Sequence, residues 1–252
     1  MTDTVERFSN RVANYVKYRP GYPREILDVF RDEMGLTESS VIADIGSGTG
    51  ISSKVFLENG NAVFGVEPNA AMRAAAEEFL RDFAKFKSVD GTAENTNLPD
   101  NSVDFVIAAQ AFHWFDQQET PREFRRIRRA GGGFVALIWN ERQLDTNDFL
   151  REYEELLKKY GTDYAQVRHD NLDKEIFEKS FQAEFASKNF VNAQTLDFEG
   201  LKGRILSSSY MPSETSARFA PMVAELRRLF EKYAESGKIQ ILYSTNIFYT
   251  RL

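Results

Sequence analysis

Val41-Ile42-Ala43-Asp44-Ile45-Gly46-Ser47-Gly48-Thr49-Gly50 governs the reading of everything around it. A short apolar run passes into glycines at every second position, and Ile51 to Asn59 then follows with helical spacing. A buried strand that feeds a helix through such a turn opens a βαβ unit. Working outward, Ala62 to Val66 reads as the second strand. Asn69 to Asp82 reads as a helix, with Met72, Ala75, Ala76, Phe79 and Leu80 on one face. Further strands are expected near Phe86 to Val89, Val103 to Ala108 and Phe134 to Trp139, and two late ones over Val191 to Phe198 and Lys238 to Thr250. Thr120, Pro121 and Glu123 have the N-cap, N1 and N3 identities of a capping box, which predicts a helix running to Ala130 and stopped by Gly131-Gly132-Gly133.

Two helical stretches interrupt the late strands. The first, about 145 to 180, carries Phe149, Leu150, Tyr153, Leu156, Leu157 and Tyr160 on one face; the second, about 213 to 234, carries Phe219, Met222, Val223, Leu226, Phe230 and Tyr233. At the other end, Val12, Tyr15 and Val16 share a helical face before Arg19-Pro20-Gly21 breaks it, and Pro23 opens a second helix that ends at Gly35. Short connections between strands and helices favour a parallel sheet. The expected fold is therefore α/β, a doubly wound, mostly parallel seven-stranded sheet with N-terminal helices and helical lid inserts. One domain is expected over 1–252, with its core at about 36–140 and 190–252 and cap elements at about 1–35, 141–189 and 200–236. Ligands of such sheets bind beyond the carboxyl ends of the strands, where strand order reverses.

Composition narrows the chemistry. The 252 residues include 32 Lys and Arg against 38 Asp and Glu, a net charge of −6, so phosphate polymers are repelled on average and nucleic acid is not an expected partner. Arg125, Arg126, Arg128 and Arg129 read instead as a solvated helix face approaching a helix C-terminus. No cysteine is present, which removes disulfides, thiolate nucleophiles and Cys-ligated metal, and two histidines, His113 and His169, make a poor metal set. No metal is expected. A charged N-terminus and no run of about 18 apolar residues predict a cytoplasmic chain without a membrane partner. Oligomeric state is not legible.

The glycine turn points to a nucleoside. Glycines allow φ > 0 and close backbone approach, and the helix start behind them favours negative groups. The dinucleotide fingerprint G-x-G-x-x-G needs glycine at 51, where Ile51 stands. Glu67, at the end of the second strand, is placed to accept from two ribose hydroxyls. A dinucleotide-dependent oxidoreductase is thereby disfavoured.

On these residues the sequence resembles the class I S-adenosylmethionine (SAM) dependent methyltransferases. Asp44 to Gly50 looks like their first motif, Glu67 like the ribose-binding acid, and Gly91-Thr92-Ala93-Glu94 with Leu98-Pro99 like the adenine-side loop before the fourth strand. A narrower likeness, to the small-molecule branch that includes trans-aconitate methyltransferases, rests on Tyr18 to Pro23, Ala108 to Asp116 and Ser207 to Pro212. The resemblance implies a Rossmann-like methyltransferase fold, SAM as cofactor with S-adenosylhomocysteine as product, and a cofactor site of Asp44, Gly46, Ser47, Gly48, Thr49, Gly50, Glu67, Pro68, Met72, Thr92, Ala93, Glu94 and Gln110. Many relatives carry Asp where Thr92 stands, and Thr92 accepts only through its hydroxyl. The same resemblance implies substrate contacts from Tyr15, Tyr18, Arg19, His113, Trp114 and Arg142. His113 is the catalytic candidate, as the side chain of its segment able to take a proton near neutral pH. Amine-directed relatives commonly carry Asn/Asp-Pro-Pro-aromatic after the fourth strand; Ala109-Gln110-Ala111-Phe112 stands there and demotes that class. A carboxylate acceptor needs no base, so methyl ester formation on a small acid is the expected reaction. Methylation of a hydroxyl with His113 as base, or SAM binding without catalysis, are the alternatives.

Overall fold

The computed structural model describes residues 12–162, 164 and 174–252, so His169 lies outside the described residues. Five parallel strands, β1 (Val41–Ile45), β2 (Ala62–Val66), β3 (Phe86–Val89), β4 (Phe105–Ala109) and β5 (Phe134–Arg142), are joined by two antiparallel ones, β6 (Ala186–Leu196) and β7 (Ile239–Arg251). Their spatial order is β3-β2-β1-β4-β5-β7-β6. The chain turns one way from β1 through β2 to β3 and the other way from β4, so the crevice opens between the ends of β1 and β4. The sequence places the glycine turn and Gln110 there.

The described helices are α1 (Val12–Tyr18), α2 (Ile26–Asp32), α3 (Ile51–Glu58), α4 (Ala70–Phe79), α5 (Thr120–Ile127), α6 (Asp148–Tyr160), α7 (Lys174–Phe181), α8 (Phe198–Leu206) and α9 (Phe219–Tyr233). One sheet face buries Ile42, Ile107 and Ile138 under α2 and α3, where Phe30 meets Phe56 edge-on at 4.9 Å. The other buries Ala43, Val106 and Leu137 under a phenylalanine cluster in which Phe177 stacks on Trp139 at 5.6 Å. Strands buried on both faces read as continuous apolar runs, which is why β1, β2 and β4 are legible without alternation. A third apolar cluster joins α6, α8 and α9 over Ile241 and Tyr243 of β7 and forms the cap.

Two expectations, a strand boundary and a helix cap, are corrected. The strand expected over Val191 to Phe198 starts at Ala186 and stops at Leu196, because the Asp197 side chain accepts from Gly200 N–H at 2.7 Å and starts α8. The insert at 145–180 contains two described helices, α6 and α7. The capping box at Thr120 does not form: Asp116 accepts from the N–H groups of Gln118 and Glu119, and Glu123 instead accepts from Thr96 N–H at 2.8 Å and Thr96 Oγ1 at 2.6 Å. A Glu one turn into a helix can face a neighbouring loop as readily as its own N-terminus. The four arginines of this region keep partial or full solvent exposure and bond at the surface: Arg125 donates to Phe181 O, Arg126 pairs with Glu123 and Asp100, Arg128 donates to Arg129 O, and Arg129 pairs with Asp104. No helix among the described residues is long and apolar enough to cross a membrane, and no described cluster of His, Asp and Glu could hold a metal.

Candidate active site

At the switch point a cavity of about 480 Å³ lies between the sheet and the cap. Its floor is the glycine turn. Gly46 sits at φ +67°, and a Cβ on it would fall 2.7 Å from Ala111 Cβ and against the Phe115 ring, so the position excludes any side chain. Four amides of this turn are engaged within the protein. Gly46 and Ser47 N–H donate to Val66 O, Gly48 N–H to Glu67 Oε2 at 3.0 Å, and Gly50 N–H to Ser47 O. The glycines give clearance, and side chains beside the turn add polar groups.

Two of those are buried without a partner among the described residues, Asp44 Oδ1 and Thr49 Oγ1. Asp44 accepts on its other oxygen from Ser52 Oγ at 2.7 Å and Ser53 Oγ at 2.6 Å. Burial pushes its carboxyl up to about 6 against the pull of those hydroxyls, and the neighbouring Glu67 adds to the rise. Glu67, likewise raised by burial, takes Gly48 N–H on one oxygen and Asn69 N–H at 2.9 Å on the other. Each of its oxygens keeps a second lone pair.

The opposite wall is built by residues far apart in sequence. Tyr15, Arg19, Pro20 and Tyr22 come from α1 and the strap after it, Gln110, His113 and Trp114 from the turn after β4, Asn140 and Arg142 from β5, Arg204 and Tyr210 from α8 and its exit, and Tyr243 from β7. Arg204 donates Nε to Tyr243 OH at 3.2 Å and Nη1 to Ser208 Oγ at 3.3 Å; Arg19 donates Nη2 to Ser207 O at 3.0 Å and leaves Nε without a partner among the described residues. Neither guanidinium has a carboxylate within ion-pair distance among the described residues. Burial and the adjacent Arg204 charge pull the Arg19 guanidinium below its ordinary value. Arg142 differs: Glu154 Oε2 takes its Nη2 at 2.5 Å, and the Tyr164 hydroxyl donates to that same oxygen at 2.7 Å.

Of the residues singled out from sequence, Tyr15, Arg19, Gly46, Ser47, Gly48, Thr49, Gln110, His113, Trp114 and Arg142 meet in this cavity wall. Tyr18 does not. Its ring packs on Gly203 of α8, where a Cβ would come within 2.1 Å of it. Met72 is buried in the core, Pro68 is exposed, Gly50 faces Leu80, and Ala93 is buried against the phenylalanine face. Thr92 closes its own turn by accepting Asn95 N–H, and Glu94 takes Asp116 N–H at 2.9 Å. Sequence reasoning missed Tyr22, Asn140, Arg204, Tyr210 and Tyr243. Arg204 left no distinct signal, since Lys202 stands two residues before it in the same short stretch.

Residues 43–136 match the methyltransferase domain family. An uncharacterised methyltransferase-like protein of Schizosaccharomyces pombe is 28% identical over 251 residues, covering 97% of this chain and 94% of that one. An uncharacterised methyltransferase of Mycobacterium bovis is 29% identical, covering 94% and 92%. In fold, a structure described as a type II methyltransferase from Anaeromyxobacter dehalogenans superimposes with a TM-score of 0.65 at 22% identity, over 93% of this chain and 98% of its own.

Proposed function

We propose that the chain is a class I SAM-dependent methyltransferase that moves the methyl group to a carboxylate of a small acidic molecule, forming a methyl ester. The observation that carries this reading is the pair of buried guanidinium groups, Arg19 and Arg204, bordering the cavity without a carboxylate of their own among the described residues. Buried charge is costly unless paired, so an anionic guest is the species this wall is prepared for. The branch that includes trans-aconitate methyltransferases fits such an acceptor.

SAM fits the floor. Asp44 Oδ1 and Thr49 Oγ1 offer buried polar atoms without partners among the described residues, Glu67 keeps acceptor capacity, and Gly46 leaves the clearance a side chain would fill. On our reading Asp44, Glu67, Thr49 and Gln110 hold the cofactor, while Met72, Ala93 and Glu94 shape its adenine side from behind. The bound cofactor supplies an electrophilic methyl on a sulfonium. The protein's part is then positional: Arg19 and Arg204 hold the acid, Trp114 and the tyrosines exclude water, and the cap fixes the line of approach. Such positioning corresponds to effective molarities of about 10⁵ to 10⁸ M. No proton has to move, since a carboxylate is ionised near pH 7. We place this reaction in the cytosol, with the described chain working as one unit and neither nucleic acid nor membrane as partner.

Incubation with methyl-labelled SAM and a panel of small carboxylates, phenols and amines tests this. Alkali-labile label in the acids is expected; label confined to phenols or amines overturns it. His113 lines the same cavity, which supports one second reading, a hydroxyl acceptor with His113 as base. Loss of turnover in His113→Ala with S-adenosylhomocysteine affinity intact selects that reading.

A further inference from the structure

Gln110 and the strap that carries Arg19 form different parts of the cavity wall, and one residue touches both. Gln110 sits at φ +56°, an uncommon conformation for a residue with a side chain, and such positions gather at functional sites. Its Nε2 donates to Asn140 O at 2.9 Å, and its Oε1 is buried without a partner among the described residues. The Asn140 side chain, on the same residue, donates Nδ2 to Gly21 O of the strap at 3.0 Å. The direction of that amide is fixed, because Asn140 Oδ1 accepts from the hydroxyl of Thr245, which lies across from it on β7, and from Asn192 Nδ2 at 3.2 Å. Asn192 also reaches Gly21 O at 3.0 Å, and Gln194 Nε2 donates to Tyr18 O at 2.8 Å. Three amides of the sheet, from β5 and β6, thus hold the main chain of the strap at two carbonyls.

We propose that Asn140 is a positioning residue that couples docking of the strap, Tyr18 to Tyr22, to the orientation of the Gln110 carboxamide in the cavity. When the strap is docked, Asn140 is held from both ends, and the Gln110 carboxamide is fixed in the wall of the cavity where we place the cofactor. When the strap lifts, Asn140 loses Gly21 O, the β5 terminus relaxes, and Gln110 loses its fixed acceptor. The orientation of one wall then depends on closure of the other. Cofactor use of Gln110 rests on the reading above; the mechanical coupling does not.

Backbone hydrogen exchange of the ligand-free full chain separates these. In Asn140→Ala, exchange across Tyr18 to Tyr22 is expected to rise about fivefold or more, the effect of a lost hydrogen bond, with β1 and β4 unchanged. Thr245→Val keeps Asn140 but removes the hydroxyl that orients it, and is expected to raise strap exchange by a smaller factor; it carries the test should Asn140→Ala fail to fold. The decisive variant is Gln110→Ala. Gln110 itself bonds to Asn140 O and Ile138 O rather than to the strap, so faster strap exchange in that variant has to pass through Asn140. Strap exchange equal to wild type in Gln110→Ala, or in both Asn140→Ala and Thr245→Val, overturns the coupling. In a parallel arm, S-adenosylhomocysteine is expected to slow strap exchange in wild type more than in Asn140→Ala. Absence of binding by wild type would sink the cofactor reading and leave the ligand-free result to stand or fall alone.

Discussion

The floor and the far wall of the cavity are made by opposite means. The floor is main chain: a contiguous turn whose glycines create clearance and whose amides are bonded to Val66 and Glu67. The far wall is side chains, three arginines and several tyrosines drawn from α1 and the strap after it, β5, α8 and its exit, and β7. A main-chain surface is defined by φ and by the lack of a Cβ, so it tolerates almost no change. A side-chain surface can be altered one group at a time, which is how a shared cofactor site serves different acceptors.

That contrast is breakable. The largest effect is expected from Gly46→Val, which adds backbone strain and a clash with Ala111 and should cost about 2 to 6 kcal/mol in thermal or denaturant unfolding. Gly48→Ala, at φ +55° but with nothing within 4 Å, should cost only about 1 kcal/mol. Equal losses at the two glycines would show that clearance is not what the floor provides.

Next comes Asp44. Its folded carboxyl titrates near 6, above the ordinary 3.8, so the folded state holds its proton more tightly than the unfolded state. Stability conferred by that proton is therefore complete below about pH 4 and lost as pH rises through about 6. An amide in its place has no such titration, so Asp44→Asn should gain relative to wild type over that window, by roughly 2 to 3 kcal/mol at most. Melting curves of both proteins across that window check it; a pH-independent difference defeats the assignment.

On the far wall, Arg204→Met and Arg19→Met should each raise KM for an acidic acceptor about 10-fold to 150-fold, the range of a charged hydrogen bond, while the fold survives. A neutral acceptor of the same shape should show little change. A comparably modest effect is expected where strap meets cap. Gly203→Ala would press on the Tyr18 ring and cost about 1 to 3 kcal/mol, and adding Tyr18→Ala should recover part of it. A double variant that simply sums the two losses would remove the packing account.

The same contrast explains what the sequence makes legible. Strands buried on both faces and a glycine turn leave local signatures, so β1 to β5, the crevice and the residues Asp44 to Gly50 follow from short stretches. Glu67 is reachable by counting along one βαβ unit. Arg204, Tyr243 and Asn140 are not, because an arginine on an apolar helix or an Asn at a strand end reads as surface until the fold brings it beside its partners. Asp197 reads as strand for a related reason: its capping role shows only in the hydrogen bond to Gly200 N–H, and the apolar residues on either side of it suit a strand equally well. The capping box at Thr120 fails because Thr96, distant in sequence, competes for Glu123.

β7 lies between β5 and β6 and pairs with both, so β6 has no neighbour in the sheet until β7 is laid down. Thr245 and Tyr243, which steady Asn140 and Arg204, arrive with that same strand, long after the glycine turn has left the ribosome. A nascent chain can therefore complete the glycine turn before Thr245 and Tyr243 exist to steady the wall that faces it.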